Sequence, residues 1–278
     1  MQHGIHFISG LPRSGSTLLA AILRQNPRFH AGMTSPVGTM YLALEKSMSR
    51  RNETAVFIDS EQRRDILAGL FTNYYNKIQS TKVVFDTNRM WCAKLPAIAQ
   101  LFPDARVICC VRNVNWIMDS VERLVRRNAF EPSGMFGYES GGTVFSRIGA
   151  VASSDGLVGY ALDALKDGFF GEQAPAMILV EYDALATDPA RALRAIYDFI
   201  GEPWYEHDFD NVEYDADDFD LALGAPGLHT IRSKVEIIPR QTVLPPQLFH
   251  RFDDDMFWRN PEANRHNVRI IGPVQGTQ

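Results

Sequence analysis

An arginine stands in a short turn of small residues near the start of the chain. The turn reads GLPRSGST at residues 10–17, after an apolar run and before a helical pattern. Backbone N–H groups at such a helix start, together with the helix dipole, favour a bound phosphate-like anion. The spacing of Gly10, Gly15 and Thr17 matches the G-x-x-x-x-G-K-[ST] phosphate loop, but Ser16 replaces its lysine. The turn is therefore predicted to hold an anion without the usual tools for γ-phosphoryl transfer.

A second arginine follows the apolar run at residues 106–111, and a serine follows it eight positions later. Arg112 stands at the predicted carboxyl end of a strand, and Ser120 about two turns into the next helical pattern. Ligands of parallel α/β sheets lie outside the carboxyl ends of the strands. Arg112 and Ser120 are predicted to bind a second anion, apart from the one at Arg13. Taken alone, the pair would also fit a solvated arginine and an outward-facing helix serine.

Apolar runs and helical patterns alternate along the chain. The runs at residues 5–9, 83–86, 106–111 and 177–182 lack clean alternation, as expected for strands covered on both faces. Helical patterns are predicted at residues 16–25, 61–79, 91–101, 115–127 and 189–200, the last with Asp188 as N-cap. This order predicts an α/β, P-loop-like three-layer fold with a central parallel sheet of about 4–5 strands flanked by helices.

Length and composition fit one domain, predicted over residues 1–271, with residues 272–278 as a flexible tail. The chain has 278 residues, of which 45% are hydrophobic and 22% charged. The acidic residues 206–220 are predicted to be a solvated connector. Cys92, Cys109 and Cys110 are expected to be buried thiols, because neighbours on a strand point to opposite faces.

Charge and hydropathy exclude several classes of partner. A formal net charge of −5 argues against nucleic acid as a partner. No apolar run reaches the roughly 18 residues that a membrane span needs. The first residues lack a signal-peptide pattern, so a cytoplasmic location is expected. No motif indicates an oligomeric state.

Together the two arginine motifs resemble those of the sulfotransferases that use 3′-phosphoadenosine-5′-phosphosulfate (PAPS). In that family a PRSGTT or PKSGTT turn binds the 5′-phosphosulfate, and an Arg and a Ser eight residues apart bind the 3′-phosphate. The first motif is matched here by Pro12, Arg13, Ser14, Gly15, Ser16 and Thr17, and the second by Arg112 and Ser120. The resemblance covers most of residues 5–204 and looks closest to the bacterial and tyrosylprotein-sulfotransferase branch.

The resemblance implies transfer of a sulfuryl group from PAPS, as co-substrate, to a hydroxyl or amine acceptor by in-line displacement and without a metal. Arg13 would stabilise the leaving phosphate. Tyr182 matches a position that contacts the nucleotide, although a core or rim tyrosine would look the same. Residues 227–246 match a late segment that closes over the nucleotide, with an ordinary solvated basic turn as the alternative. The basic turn of that segment contains Arg232, Ser233 and Lys234.

The chain departs from the family at the general base. Residues 30–38 lack the glutamate of the tyrosylprotein branch, and residues 83–91 lack the histidine of the cytosolic branch. Asp86, at the end of a predicted strand, is the leading candidate, with pairing to Arg89 or helix capping as the alternative. Other candidates that folding could bring near are His30, Glu45 and His229.

The acceptor is not specified by either motif. Residues 34–41 and 129–142 are predicted to form loops over the pocket, which indicates a small-molecule acceptor of apolar or aromatic character. The side chains behind that prediction are Met33, Met40, Tyr41, Phe130, Met135, Phe136 and Tyr138. Two other functions stay open: a P-loop-type nucleotide or small-molecule kinase, and a non-catalytic nucleotide-binding protein of the same fold.

Overall fold

A parallel β-sheet forms the centre of the protein in the computed structural model, which describes residues 4–79, 82–130, 133–137 and 142–273. Its strands are β1 (Ile5–Gly10), β2 (Phe29–Ala31), β3 (Val83–Thr87), β4 (Val107–Val111), β5 (Met177–Glu181) and β6 (Arg269–Ile271). They lie in the order β2-β3-β1-β4-β5-β6, and every adjacent pair is parallel. The predicted α/β class is confirmed, with six strands instead of the predicted 4–5.

Helices cover both faces of this sheet. They are α1 (Ser16–Leu23), α2 (Val37–Ser47), α3 (Ser60–Tyr74), α4 (Asn76–Gln79), α5 (Leu95–Leu101), α6 (Val114–Arg127), α7 (Val144–Ala152), α8 (Gly159–Phe170), α9 (Tyr182–Thr187), α10 (Pro189–Ile200), α11 (Asp217–Ala222) and α12 (Pro246–Phe249). None of the helices in the described ranges is long and apolar enough to cross a membrane.

Two hydrophobic cores explain why the strands lack an alternating pattern. Phe7 of β1 packs into the core that contains Trp91 and Val107, while its neighbour Ile8 packs into the core that contains Leu19. Consecutive strand residues point to opposite faces. Both faces of β1 are therefore covered, and each of its six residues is buried.

Strand ends on one edge of the sheet bring distant parts of the chain together. Gly10, the last residue of β1, lies opposite Cys110 of β4, and Val111 lies opposite Glu181, the last residue of β5. The turn after β1, Arg112 after β4 and Tyr182 after β5 consequently leave the sheet at the same edge. Gly10 has a φ of 100°, and a Cβ atom there would lie 2.2 Å from the carbonyl oxygen of Cys110.

The helix with clear capping residues has the bounds that the sequence predicted, and two other helices differ from their predicted bounds. Residues 189–200 form the predicted helix, with the Asp188 side chain accepting from the Arg191 N–H and Gly201 in a left-handed conformation after its end. The predicted helix at 61–79 is divided into α3 and α4, and the one at 91–101 begins as a 3₁₀ segment, Arg89–Lys94.

Three cysteines lie in the core, as predicted. Cys92, Cys109 and Cys110 are free and buried, and the sulfur atoms of Cys92 and Cys109 are 3.4 Å apart. The acidic residues 206–220 are not simply solvated, because Val212 and Asp220 are buried. Of the predicted tail, residues 274–278 lie outside the described residues, as does Tyr138.

Candidate functional site

The turn after β1 opens onto a cavity of about 510 Å³. Helix α1 begins at Ser16, and its N-cap residue Gly15 makes no side-chain capping bond. The first intrahelical bond runs from the Leu19 N–H to the Gly15 carbonyl, so the N–H groups before it have no partner inside the helix. Gly15 also has a φ of 90°, and a Cβ atom there would lie 3.0 Å from the Tyr182 ring. The sequence of this turn therefore leaves a helix N-terminus open to an anion.

Arg13 joins the two motifs that the sequence separates. Its Nε donates a hydrogen bond to Ser120 Oγ at 3.1 Å, and its backbone has a left-handed φ of 57°. Burial lowers the pKa of Arg13 to about 10, and the charges of Arg112 and Arg240 act in the same direction. Three guanidinium groups thus face one part of the cavity, where their mutual repulsion favours a bound anion.

The Arg112 side chain has a buried hydrogen-bond donor without an acceptor among the described residues. Its guanidinium lies over the Tyr182 ring, 4.1 Å from the centroid, and its Nη1 lies 3.5 Å from the Arg13 carbonyl oxygen. The Arg112 Nε is buried, and none of the described residues hydrogen-bonds to it. Buried polar groups are nearly always paired. An anion that bound beside Tyr182 would supply the missing acceptor.

The late segment at residues 227–246 forms another wall of the cavity and is held by Asp119. The buried Asp119 carboxylate accepts hydrogen bonds from Thr242 Oγ1 (3.0 Å) and the Val243 N–H (2.7 Å). It also pairs with Arg240 at 3.2 Å. Because Asp119 precedes Ser120 on α6, the late segment is anchored next to the second motif. Sequence reasoning did not single out Arg240 within this segment.

The basic turn of the late segment is only partly directed at the cavity. Arg232 and Lys234 line it, and Ser233 does not. The Ser233 carbonyl instead accepts from the Val212 N–H at 2.7 Å. The exposed Lys234 lies 3.2 Å from Asp210 in the acidic segment.

Asp86 is placed in the core and does not line the cavity. Its carboxylate accepts from Ser35 Oγ (2.6 Å), Tyr75 OH (2.6 Å) and Trp91 Nε1 (2.7 Å). Burial raises the pKa of Asp86, and these three donors oppose the rise. The Asp86 carboxylate is therefore enclosed by three donors within the core. The predicted alternative of pairing with Arg89 is not what the structure shows.

Of the three other candidates for the general base, only one lines the cavity. Glu45 pairs with Lys94 at 2.7 Å, and neither His30 nor Glu45 lines the cavity. His229 does line it. Its Nδ1 lies 2.5 Å from Asp220 Oδ1, and its backbone N–H donates to Asp220 Oδ2 at 2.8 Å. The nine-residue separation of the pair carried no recognisable signal in the sequence.

Apolar side chains line a further part of the cavity. They are Met33, Met135, Leu157, Phe219, Leu223, Leu228, Ile237 and Ile238. Of the side chains that were predicted to face an acceptor, Met33 and Met135 are in this set. Tyr41 and Phe136 are buried in the core, Met40 packs against it, and Phe130 is fully exposed. Within the described ranges, no group of three or more His, Cys, Asp or Glu could hold a metal ion.

Comparison with known proteins gives one family. The sequence model described as "Sulfotransferase family" matches residues 6–206. A sulfotransferase from Alicyclobacillus acidocaldarius is 14% identical, with a TM-score of 0.49 over 75% of this chain and 85% of that one. The sulfotransferase domain of the curacin biosynthetic pathway is 17% identical, with a TM-score of 0.48 over 73% and 75%. That of the Synechococcus PCC 7002 olefin synthase is 18% identical, with a TM-score of 0.45 over 74% and 76%.

Proposed function

Because this chain belongs to the sulfotransferase family, we propose that it transfers a sulfuryl group from PAPS to a hydroxyl or amine acceptor. PAPS carries two separate anionic groups, a 5′-phosphosulfate and a 3′-phosphate. A site for it therefore needs donors for both groups along one edge of the sheet. The two arginine motifs leave the sheet at one edge and line one cavity.

One observation carries the donor assignment: the Arg112 Nε is buried and unpaired among the described residues. The Arg112 guanidinium lies over the Tyr182 ring, and its Nη1 lies 3.5 Å from the carbonyl oxygen of Arg13, whose Nε donates to Ser120. A phosphate would complete the bonding of Arg112 with a charge-assisted hydrogen bond. Ser120 Oγ accepts from Arg13, so its own O–H is free to donate to the same phosphate. Arg112 and Ser120 are the residues proposed for the 3′-phosphate.

The turn at residues 12–17 is proposed to hold the 5′-phosphosulfate. Cleavage of the S–O bond places negative charge on the bridging oxygen as the phosphate leaves. The N–H groups at the start of α1 and the Arg13 guanidinium supply fixed positive charge at that end of the cavity. In-line displacement by the acceptor needs no metal in this scheme, since the protein already supplies the charge that stabilises the leaving group.

The late segment and Tyr182 are proposed to cover the nucleotide. Arg240 is fixed by Asp119 and adds a third guanidinium beside Arg13 and Arg112. Arg232 and Lys234, which come before Arg240 in the segment, line the same cavity. We assign Arg240 the strongest contact of this segment with the donor, because its position is set by a buried carboxylate.

The apolar part of the lining supports a small acceptor with an apolar body. A hydroxyl or amine presented on such a body would lie between the apolar side chains and the arginine cluster. The cavity of about 510 Å³ is within the range of small-molecule sites.

Calorimetric titration separates this proposal from its alternatives. Adenosine 3′,5′-bisphosphate (PAP) should bind, while ATP with Mg²⁺ should bind weakly and should not turn over. Binding and turnover of ATP–Mg²⁺ without affinity for PAP would indicate a kinase and contradict the proposal. PAPS that binds but transfers its sulfuryl group to no alcohol, phenol or amine in a broad panel would indicate a non-catalytic nucleotide-binding protein.

A further inference from the structure

A buried carboxylate holds the one histidine that lines the cavity among the described residues. Asp220 is completely inaccessible to solvent, and both of its oxygens face His229. Oδ1 lies 2.5 Å from the imidazole Nδ1, and Oδ2 accepts the backbone N–H of His229 at 2.8 Å. Two contacts to one carboxylate fix both the backbone and the ring of this histidine.

The pairing determines which ring nitrogen carries the proton. An ionised carboxylate only accepts hydrogen bonds, so the Nδ1 that faces Asp220 must carry a hydrogen. The neutral ring then has its lone pair on Nε2. None of the described residues hydrogen-bonds to Nε2. His229 therefore has an unpaired acceptor nitrogen on a residue that lines the cavity.

The surroundings of His229 favour the acceptor over the donor. Its ring lies 5.7 Å from that of Phe219, and its chain neighbour Leu228 also lines the cavity. A neutral imidazole with a free lone pair does not attract a phosphate. It can accept a hydrogen bond from an O–H or N–H group. Burial is the main cause that lowers the pKa of Arg13, and the charge of Asp220 opposes it. Asp220 is therefore close to the arginine cluster as well as to His229.

Other carboxylates fit the role of base less well. Asp86 is enclosed by three donors in the core. Asp183 lines the cavity but lies at the Arg112 end, where its charge acts on the pKa of that arginine. Glu236 lines the cavity from an exposed part of the late segment, with no described side chain that fixes it.

We propose that His229 is the general base of this sulfotransferase and that Asp220 is the positioning residue that holds it in the active tautomer. The inference rests on the proposed function. The acceptor O–H, or N–H, hydrogen-bonds to His229 Nε2. Its oxygen or nitrogen attacks sulfur and forms the new bond, while its proton passes to Nε2.

Electrons of the breaking S–O bond go to the 5′-phosphate oxygen, which Arg13 and the turn at residues 12–17 stabilise. The products are the sulfated acceptor, PAP and an imidazolium at His229. The imidazolium returns its proton to solvent. No oxidant, reductant or metal is needed to balance the step.

The test uses the full chain and an acceptor that the panel has shown to turn over. His229→Ala should lower kcat about 10²- to 10⁴-fold, the usual contribution of a positioned base. The Kd for PAP, measured by calorimetry, should be unchanged. Added imidazole should restore part of the turnover of His229→Ala, because the truncated side chain leaves room beside Asp220.

Asp220→Asn tests the positioning role. The two contacts use different oxygens of Asp220, and a carboxamide has only one oxygen, so one of the two donors of His229 must face the NH₂ group. When its NH₂ group faces Nδ1, the ring proton must move to Nε2 and the base is lost. Nitrogen-15 NMR of the imidazoles in the unliganded wild type should show an unprotonated Nε2, assigned to His229 by its absence from His229→Gln. The same nitrogen should be protonated in Asp220→Asn.

His250→Ala is the matched control. His250 Nδ1 lies 3.1 Å from Asp253, and the pair is exposed on the surface away from the cavity. This variant should keep wild-type turnover. Three results would overturn the inference: full kcat in His229→Ala, loss of PAP affinity without loss of kcat, or a base role for Glu236 revealed by an inactive Glu236→Gln. Failure of the proposed function would look different, since the wild type itself would then neither bind PAP nor sulfate any acceptor.

Discussion

Arg13 and Ser120 lie 107 residues apart in the chain, and the guanidinium Nε of one donates to the hydroxyl oxygen of the other at 3.1 Å. A side-chain hydrogen bond therefore joins the turn after β1 to the helix after β4. A residue proposed for the leaving phosphate is oriented by a residue proposed for the distant 3′-phosphate. Binding of an anion at one site should therefore change the affinity of the other site for its own anion.

We expect this contact to appear as coupling between two substitutions. Arg13→Ala should nearly abolish turnover, because the leaving phosphate loses its cation. Ser120→Ala should weaken PAP binding and also lower kcat. Contacting residues usually couple by about 0.5–3 kcal/mol, so the double variant should lose less than the sum of the single losses. Strictly additive effects on kcat/KM would mean that the two side chains act independently.

Arg112→Ala should act mainly on donor affinity. Loss of a hydrogen bond to a charged group costs about 1.5–3 kcal/mol, which corresponds to roughly a 10- to 150-fold increase in the Kd for PAP. Arg112→Lys keeps the charge but loses the Nε donor and the flat stacking on Tyr182, so it should recover little of the affinity. Calorimetry with PAP measures both variants. An unchanged Kd in Arg112→Ala would contradict the two-anion site.

Asp119→Ala should release the late segment from α6. The Val243 N–H and Thr242 hydroxyl would lose their acceptor, and Arg240 its partner. We expect faster limited proteolysis within residues 227–246 and weaker PAP binding. Asp198→Asn, an exposed carboxylate on α10, is the control and should change neither measurement. Equal proteolysis of the two variants would show that Asp119 does not hold the segment.

Gly10→Ala should destabilise the fold strongly. Its φ of 100° disfavours any L-residue, and the new Cβ would meet the Cys110 carbonyl at 2.2 Å, so β1 and β4 would have to separate. Gly69→Ala is the contrasting change, since a Cβ atom in that helix meets only the Asn73 side chain at 3.9 Å. It should stabilise the protein by up to about 1 kcal/mol. Urea unfolding of both variants measures the difference, and equal midpoints would contradict the close approach.

Acid should destabilise the protein through His6 on β1. Burial lowers the pKa of His6 to about 4, and the charge of Arg106 adds to the effect. The neutral ring accepts the Arg106 N–H through Nδ1 at 3.1 Å. Between pH 6.5 and 4 the unfolded chain binds a proton that the folded chain does not, so up to about 3 kcal/mol of stability is lost as the pH falls.

Unfolding free energies at pH 7.5, 6 and 5 measure this loss. His6→Gln should reduce the pH dependence without removing it, because burial also lowers the pKa of His207 to about 4. A wild type and a His6→Gln variant with the same pH slope would exclude His6 as the source.

Local signals in the sequence were enough for the main elements. Strand β5 and helix α10 were predicted closely, since an apolar run and the Asp188 cap mark their bounds. Strands β2 and β6 have three residues each, and such short segments show no periodic pattern. Their place in the sheet depends on pairing with distant strands, which no local pattern encodes.

Site residues at strand ends could also be predicted from the sequence, whereas those placed by the late part of the chain could not. Arg13 and Arg112 stand at strand ends, so topology alone could bring them together. The pairing of Asp220 with His229 depends on how the late part of the chain folds back, and Asp220 looked like one more acidic residue in a polar stretch. Asp86 stands at a strand end and was expected at the cavity, but its carboxylate lies in the core with Ser35, Tyr75 and Trp91 as donors.

The left-handed backbone of Arg13 sets stability and activity against each other. A side chain at a φ of 57° costs about 1 kcal/mol or more, and glycine would remove that cost. Arg13→Gly should therefore melt at a higher temperature than Arg13→Ala while it remains inactive. In the proposed function, turnover therefore depends on a residue whose backbone conformation lowers the stability of the turn.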